Sequence, residues 1–211
     1  MVFRPELPTR DQDTTGFTRI LDNLVEAVQG VLGAALVDDQ GECVDYSGAL
    51  RAYEIRLVAA HAQIELRNAS YKLSETCGTV RSITIYARKQ TIYAARIVED
   101  YSLILIFMGA NPPYVSHRAL AQAEFDICRE GGWPTTPITE RWIHLSVESS
   151  PDGRSRPCRI QLESLWYDVD VIGIVVGLSP GERGFRVRTR QGAEMTLVRE
   201  RHGRWYADAR Y

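Results

Sequence analysis

The feature that most constrains the fold is the nearly continuous apolar run 101-YSLILIFM-108. A strand with apolar residues at both odd and even positions is buried on both faces, so this run predicts a central strand in a sheet covered on two sides. Residues 80–86 predict a strand, because Ile83 and Ile85 alternate with polar residues, and residues 91–98 predict a second strand after a turn at 88–90. The chain therefore contains a sheet that needs two layers of cover.

The segment from Ala49 to about Ser70 predicts a long helix that is apolar on more than one face. One face covers the sheet of its own domain, and the other needs a second surface. We expect a partner subunit to supply that surface, so the sequence predicts a homodimer. The expected interface consists of Leu50, Tyr53, Leu57, His61, Ile64, Ile83 and Ile85.

The other elements of this domain come from local signals. Thr14 or Thr15 is expected to cap a helix that runs to about Gln29. Two short strands, 34–37 and 43–46, flank Asp39-Gln40-Gly41, which predicts a hairpin turn with glycine at positive φ. A calcium loop is disfavoured because its flanks would be helical. A last helix is expected over residues 114–129.

Beyond residue 134 the pattern changes to short strands separated by turns, among them a turn at 151–153 and a strand from Val169 to Val176. The charge balance there turns from acidic to basic. This change predicts a small β-barrel or strongly bent meander that folds separately. The fold class is therefore α/β (α+β) followed by an all-β segment. The expected boundaries are a flexible tail at 1–13, a domain at 14–132, a linker at 133–139 and the β domain at 140–211.

The composition, 45% hydrophobic and 25% charged, is that of an ordinary soluble domain. The first residues lack the apolar segment of a secretion signal, and no run is long enough to span a bilayer. We therefore expect a cytoplasmic protein. The cysteines at 43, 77, 128 and 158 form no CxxC pair, so we expect free thiols, no zinc site and no cofactor.

Motifs for catalysis are missing from the sequence. It contains no P-loop, no GxGxxG after a strand, no HExxH and no GxSxG. An enzyme built on His61 or Cys128 is disfavoured, because neither belongs to a recognisable set of catalytic residues. The sequence therefore predicts a non-catalytic protein.

Arginines alternate along 182-ERGFRVRTR-190 and would project from one face of a strand. They could bind a phosphate, a nucleic acid or an acidic protein surface. Alternatively, they form a solvated face balanced by nearby acids, and the modest net charge favours that alternative over nucleic-acid binding. The candidate patch for a second partner, which would be another protein, consists of Arg186, Arg188, Arg190 and Arg199.

The stretch 20-ILDNLVEAVQGVLGAALVDDQGECVDYSG-48, the run YSLILIFM and the order of elements over 14–132 resemble the roadblock/LC7 family of dynein light chain and longin-related domains. The resemblance implies a five-stranded antiparallel sheet, with the first and last helices on one face and the middle helix on the other. It also implies a homodimer through the middle helix and the third strand. Bacterial relatives commonly bind Ras-like small GTPases, and some accelerate GTP hydrolysis without an arginine finger.

The resulting hypothesis is a regulatory adaptor that binds a Ras-like small GTPase and uses its β domain for a second contact. A nucleic-acid-associated module that uses the arginine stripe is the alternative. Charged positions on an otherwise apolar helix would line the rim of the dimer, where they steer a partner. The candidate GTPase contacts are Arg51, Glu54, Arg56 and Glu65.

Overall fold

The computed structural model describes residues 10–98, 100–109, 115–134, 142–150 and 156–208. It divides into two compact units, Met1–Val115 with Ala123–Thr135, and Ser116–Gln122 with Thr136–Tyr211. Most of the predicted tail, the predicted linker from residue 135 and the predicted turn at 151–153 lie outside the described residues. The predicted domain boundaries stay predictions.

The first unit is built on a five-stranded antiparallel sheet with the order β2-β1-β5-β4-β3. Its elements follow the predicted order, and the last helix, α3, is divided between the two units. The elements are α1 (Gly16–Ala27), β1 (Val31–Asp38), β2 (Cys43–Gly48), α2 (Ala52–Cys77), β3 (Ser82–Tyr86), β4 (Gln90–Val98), β5 (Tyr101–Met108) and α3 (His117–Gly131).

Strand β5 lies in the middle of the sheet, as its apolar run predicts, and pairs with β1 and β4. Its residues from Ser102 to Phe107 are buried, so both faces of the strand are covered. On one face, Ile104 and Ile106 belong to the core that α2 completes. The residues of α2 that fill this core are Ile55, Ala59, Ala62 and Leu66.

The ends of the first elements follow their local sequence. The Thr15 hydroxyl accepts hydrogen bonds from the N–H groups of Phe17 and Thr18, so the predicted cap of α1 is confirmed. The predicted hairpin turn between β1 and β2 is confirmed as well. The Asp38 carboxylate accepts the N–H of Glu42 at 2.8 Å, and Gly41 has φ +87°.

Helix α2 extends beyond its predicted end near Ser70. It continues to Cys77, because the first residue that favours a helix end is Gly78, which has φ +77°. The residues from 71 to 79 are all exposed. The last two turns of α2 therefore project away from the sheet of this chain.

The second unit is a seven-stranded antiparallel sheet with the order β6-β12-β11-β10-β9-β8-β7. Only Ser146 separates β6 from β7, so the two ends of this order are consecutive in the chain and the sheet curls, as predicted for a bent meander. The strands are β6 (Trp142–Leu145), β7 (Val147–Ser149), β8 (Pro157–Leu162), β9 (Leu165–Val175), β10 (Arg183–Thr189), β11 (Glu194–Arg199) and β12 (Trp205–Asp208).

Strand β9 begins four residues before its predicted start at Val169. A two-residue turn joins β8 directly to β9, with Glu163 at φ +47° and Ser164 at φ +73°. Tight hairpins favour positive φ at both central residues, but asparagine and glycine are their usual signals. The pair Glu163-Ser164 gives no such signal, so the predicted start of β9 is four residues too late.

The second unit contains a buried charged cluster between its own residues 116–122, at the start of α3, and its sheet. The Arg118 guanidinium, 3% exposed, donates to Glu182 at 2.9 Å and to Glu200 at 3.2 Å. It also lies over the Trp142 ring, 4.7 Å from the ring centroid. The Ser116 hydroxyl donates to Glu200 at 2.8 Å. Two buried carboxylates are therefore paired with one arginine that lies outside the predicted β domain.

We predict that Arg118→Leu lowers the free energy of unfolding by about 3–5 kcal/mol, because it removes a buried cation that pairs with the Glu182 and Glu200 carboxylates. Urea unfolding followed by circular dichroism measures this change. Arg129→Leu is the matched control, because Arg129 lies on the same helix and is 68% exposed. Equal stability of the two variants would contradict the structural role assigned to Arg118.

Candidate functional site

The face of α2 that points away from the sheet carries large apolar side chains. Tyr53 is 72% exposed, Leu57 43%, Ile64 37% and Tyr71 85%. With Ala60 and Arg67 they recur at steps of four, three, four, three and four residues, the spacing of a helix–helix seam. We call these residues the α2 seam: Tyr53, Leu57, Ala60, Ile64, Arg67 and Tyr71.

The structure separates the predicted interface residues into two groups. Tyr53, Leu57, His61 and Ile64 are exposed on α2. Leu50 and Ile83, in contrast, are partly buried against the core beneath α2. Ile85 is partly buried on the edge strand β3. The exposed group is the part of the prediction that is positioned to meet another molecule.

The four candidate GTPase contacts also differ in their surroundings. Arg51 precedes α2, and its N–H donates to the Glu54 carboxylate at 3.4 Å. Arg56 is paired with Asp11 at 2.7 Å and lies over the Tyr46 ring. Arg51, Glu54 and Glu65 are exposed, whereas Arg56 is half-buried. Arg56 therefore has a structural contact that the sequence did not indicate.

An open cleft of about 400 Å³ lies beside the N-terminal half of the α2 seam. The turn between β1 and β2 forms one wall, and α2 forms the other. Its lining is mainly apolar near the seam and polar near the turn. The cleft is lined by Gln12, Gly41, Glu42, Cys43, Tyr53, Arg56, Leu57 and Ala60.

Residues 10–15, which we call the N-terminal strap, cross the edge strand β2. Asp45 and Tyr46 are consecutive in β2, so their side chains lie on opposite faces of the sheet. The Arg10 guanidinium donates to the Asp45 carboxylate and to the Tyr46 carbonyl, and it stacks over the Tyr46 ring, 4.6 Å from the centroid. The Asp11 carboxylate accepts from the Tyr46 hydroxyl at 2.6 Å. The strap is therefore fastened on both sides of the edge strand.

Asp45 is the buried centre of this arrangement, with its side chain 1% exposed. Burial alone would raise the pKa of its carboxyl, but hydrogen bonds from Thr15, Arg10, Thr18 and the Tyr46 N–H lower the pKa below its ordinary value. The Thr15 and Thr18 hydroxyls donate at 2.5 and 2.8 Å. The ionised carboxylate thus joins the strap, α1 and β2.

A second, larger cleft of about 580 Å³ lies between α1 and the connection from β2 to α2. Arg10 and Thr14 of the strap lie at its edge. Val25, Val31 and Leu50 supply apolar lining, and Asp22 and Glu26 supply carboxylates. The Ser47 hydroxyl donates to Asp22. The sequence predicts neither this cleft nor the strap.

The arginine stripe of β10 is paired with acidic residues. Glu194 accepts from Arg186 at 3.2 Å and from Arg188 at 2.5 Å. Arg190 pairs with Asp168 at 2.9 Å. Arg199 is half-buried at the end of β11. The contact of this patch with a second protein stays a prediction, and its charge neutralisation favours the solvated-face interpretation over a nucleic-acid interface.

The residues considered for catalysis are not brought together. His61 is exposed on α2, and Cys128 is buried in α3, where burial raises the pKa of its thiol. Burial also raises the pKa of Cys43 to about 11. Among the described residues, no cluster of histidine, cysteine or carboxylate side chains is arranged to hold a metal ion. No helix in the same part of the chain has the length and apolarity needed to span a bilayer.

No protein-family model matches the chain, and no curated protein does. Solved structures match it over somewhat more than half of its length. MglB of Myxococcus xanthus is 14% identical, with 56% of this chain and 96% of that chain covered and a TM-score of 0.47. The gliding protein MglB of Thermus thermophilus is 14% identical, with 62% and 98% covered and a TM-score of 0.49.

A roadblock/LC7 domain of Streptomyces avermitilis is 14% identical, with 53% of this chain and 88% of that chain covered and a TM-score of 0.40. The chain resembles these roadblock/LC7 structures over that share of its length. The five-stranded antiparallel sheet of the first unit is the sheet that the resemblance implies, and the β-rich second unit has no assigned family.

We predict that Asp45→Asn lowers the free energy of unfolding at pH 7 by about 2–4 kcal/mol, because Arg10 and two hydroxyls lose an ionised acceptor. The folded pKa of Asp45 lies below its ordinary value of 3.8. Its contribution is therefore complete above about pH 4 and is lost as the pH falls through the folded pKa. Urea unfolding from pH 7 to pH 2.5 measures the difference between variant and wild type.

Asp39→Asn is the control for this series, because Asp39 is exposed in the neighbouring hairpin turn. A wild-type advantage over Asp45→Asn that stays constant down to pH 2.5 would contradict the role assigned to the ionised carboxylate.

Proposed function

We propose that the chain is a non-catalytic adaptor that forms a homodimer through α2 and β3 and binds a Ras-like small GTPase. The observation that carries the proposal is the α2 seam, an apolar face left uncovered on a helix whose opposite face is buried. Exposed apolar patches on a folded domain are typical of protein-binding surfaces. The proposed occupant of this surface is a second copy of the chain.

The spacing of the seam supports a self-complementary contact. Its steps of four, three, four, three and four residues are the same from either end, so an antiparallel copy meets an identical pattern. In that pairing Tyr71 of the second copy lies opposite Tyr53, where the 400 Å³ cleft opens. The projecting end of α2 would then fill a cleft on the other subunit. Strand β3, an edge of its sheet, is available to pair alongside.

We predict that Leu57→Asp with Ile64→Asp converts the dimer to a monomer at micromolar concentration, because each copy would place charged groups in a desolvated seam. Light scattering coupled to size exclusion measures the mass. Leu73→Asp is the matched control: Leu73 is 42% exposed and lies on the opposite side of α2. The proposal is wrong if the wild type is a monomer. It is also wrong if the protein with both seam substitutions is still a dimer.

For the GTPase contact, support comes from the exposed charges beside the seam and from the resemblance to a family whose bacterial members bind Ras-like GTPases. Arg51 and Glu65 are exposed, and they lie outside the core and the seam. Charges at the rim of an interface mainly steer association. Arg56 is a less suitable probe, because changing it also breaks its pair with Asp11.

We predict that Arg51→Glu with Glu65→Arg slows association with a Ras-like GTPase about three- to tenfold and leaves dissociation nearly unchanged, because rim charges act on encounter. Surface plasmon resonance with a purified GTPase, loaded with GDP or a non-hydrolysable GTP analogue, measures both rates. Arg88→Glu, in the exposed turn between β3 and β4, serves as the control. Unchanged association in a folded dimeric variant would place the contact elsewhere.

A further inference from the structure

The contacts of Arg10 define a guanidinium-binding site on the edge of the first unit. The side chain of Asp45 is 1% exposed, and Thr18 is 4% exposed, so the acceptors are held by the fold. The Arg10 guanidinium contacts the Asp45 carboxylate, the Tyr46 carbonyl and the Thr18 hydroxyl, the last at 3.1 Å. The Tyr46 ring stacks against it. The site therefore combines charge, hydrogen-bond acceptors and an aromatic face, which together suit arginine.

The group that fills this site comes from a segment whose other attachments are hydrogen bonds of Asp11 and Thr15 and one exposed ion pair. Residues 11–15 are exposed. The second ionic attachment of the strap, between Asp11 and Arg56, joins side chains that are 51% and 34% exposed, so it contributes little to stability. Arg10 therefore fills the site from within the same chain, and an arginine of another polypeptide could take its place.

The acidic surface continues beyond Arg10 along α1. Thr18, Asp22 and Glu26 follow at intervals of four residues, so they lie on one face of the helix at steps of about 6 Å. All three line the 580 Å³ cleft, together with apolar Val25 and Leu50. Within the described residues, neither Asp22 nor Glu26 is joined to a cation. The cleft thus offers two further carboxylates beside an apolar wall.

An extended peptide has a matching period. Alternate residues of a strand point to the same side and are separated by about 6.6 Å. A segment with basic residues at alternate positions would therefore place one side chain at Asp45, the next near Asp22 and a third near Glu26. The aliphatic stems of these side chains would cover the apolar wall.

We propose that this cleft binds an extended Arg-x-Arg-x-Arg segment of a partner polypeptide, whose first arginine replaces Arg10 at Asp45. The strap is then a built-in competitor. Because Arg10 is tethered beside the site, its effective concentration there is in the millimolar range, and a free peptide displaces it with difficulty. This site lies apart from the α2 seam and does not depend on the dimer or the GTPase contact.

The test is the affinity of a fluorescein-labelled peptide, Gly-Arg-Gly-Arg-Gly-Arg-Gly, measured by fluorescence anisotropy at about 0.15 M salt. We expect Arg10→Ala to bind it at least tenfold more tightly than wild type, because the competing guanidinium is gone. Adding Asp22→Asn and Glu26→Gln to Arg10→Ala should weaken binding at least fivefold. The same peptide with norleucine in place of arginine should not bind.

Arg10→Ala with Glu42→Gln is the matched control, because Glu42 is an exposed acidic residue in the hairpin turn and lines the other cleft. Equal affinity of the peptide for wild type and a folded Arg10→Ala protein would overturn the proposal. An equal effect of the control substitution would overturn it too, because that result indicates nonspecific attraction to acidic groups.

A second measurement on the wild type covers the case in which Arg10→Ala does not fold. The Arg10 Nε–H signal in the NMR spectrum should move toward that of a solvent-exposed arginine as the peptide is added. If the signal does not change while the methyl signals of Val25 and Leu50 show that the cleft is filled, Arg10 is not displaced and the proposal is wrong. The proposal is also wrong if no NMR signal changes when the peptide is added up to a 10-fold molar excess over about 1 mM protein.

Discussion

The architecture of the first unit depends on one strand that is buried on both faces. Because β5 has apolar residues at consecutive positions, both faces of the sheet need cover, and α2 provides it on one of them. Covering the sheet occupies the side of α2 formed by Ile55, Ala59, Ala62 and Leu66. The apolar residues on the opposite side then have no role within this core. The α2 seam is therefore exposed because α2 is apolar on two sides and the sheet covers only one of them.

The sequence predicts the elements that depend on local pattern. The continuous apolar run locates β5, and the apolar pattern of α2 predicts that more than one of its faces is covered. Local side chains specify the cap at Thr15 and the turn at Gly41. It also predicts an all-β second unit, since short alternating segments leave no room for a helix there. The errors in the secondary structure are at the ends of elements. Helix α2 continues to Cys77, because its apolar pattern stops before the helix does and the glycine that follows marks its end.

The candidate sites are less accessible to sequence reasoning, because they depend on contacts between distant residues. Arg10 and Asp45 are 35 positions apart, and Arg118 and Glu182 are 64 positions apart. The residues that neighbour each of them in the sequence form no motif, so the sequence does not predict that these charges are buried. A buried aspartate was visible only as one of several acids near a hairpin turn. Only the assembled sheet shows that Asp45 faces α1 while its neighbours face solvent or α2.

Arg56 links the cleft beside the α2 seam to the N-terminal strap. It lines the cleft beside the α2 seam and also holds Asp11 of the strap while lying over the Tyr46 ring. A molecule that draws the Arg56 guanidinium into the seam cleft takes it from Asp11 and loosens the strap. By linkage, a peptide that displaces the strap must change affinity at the seam by the same factor. Because the Asp11–Arg56 pair is exposed, that factor is small, about two- to fivefold for a coupling below 1 kcal/mol. The edge of the sheet and the face of α2 are therefore distinct surfaces whose occupants influence each other weakly, through one arginine.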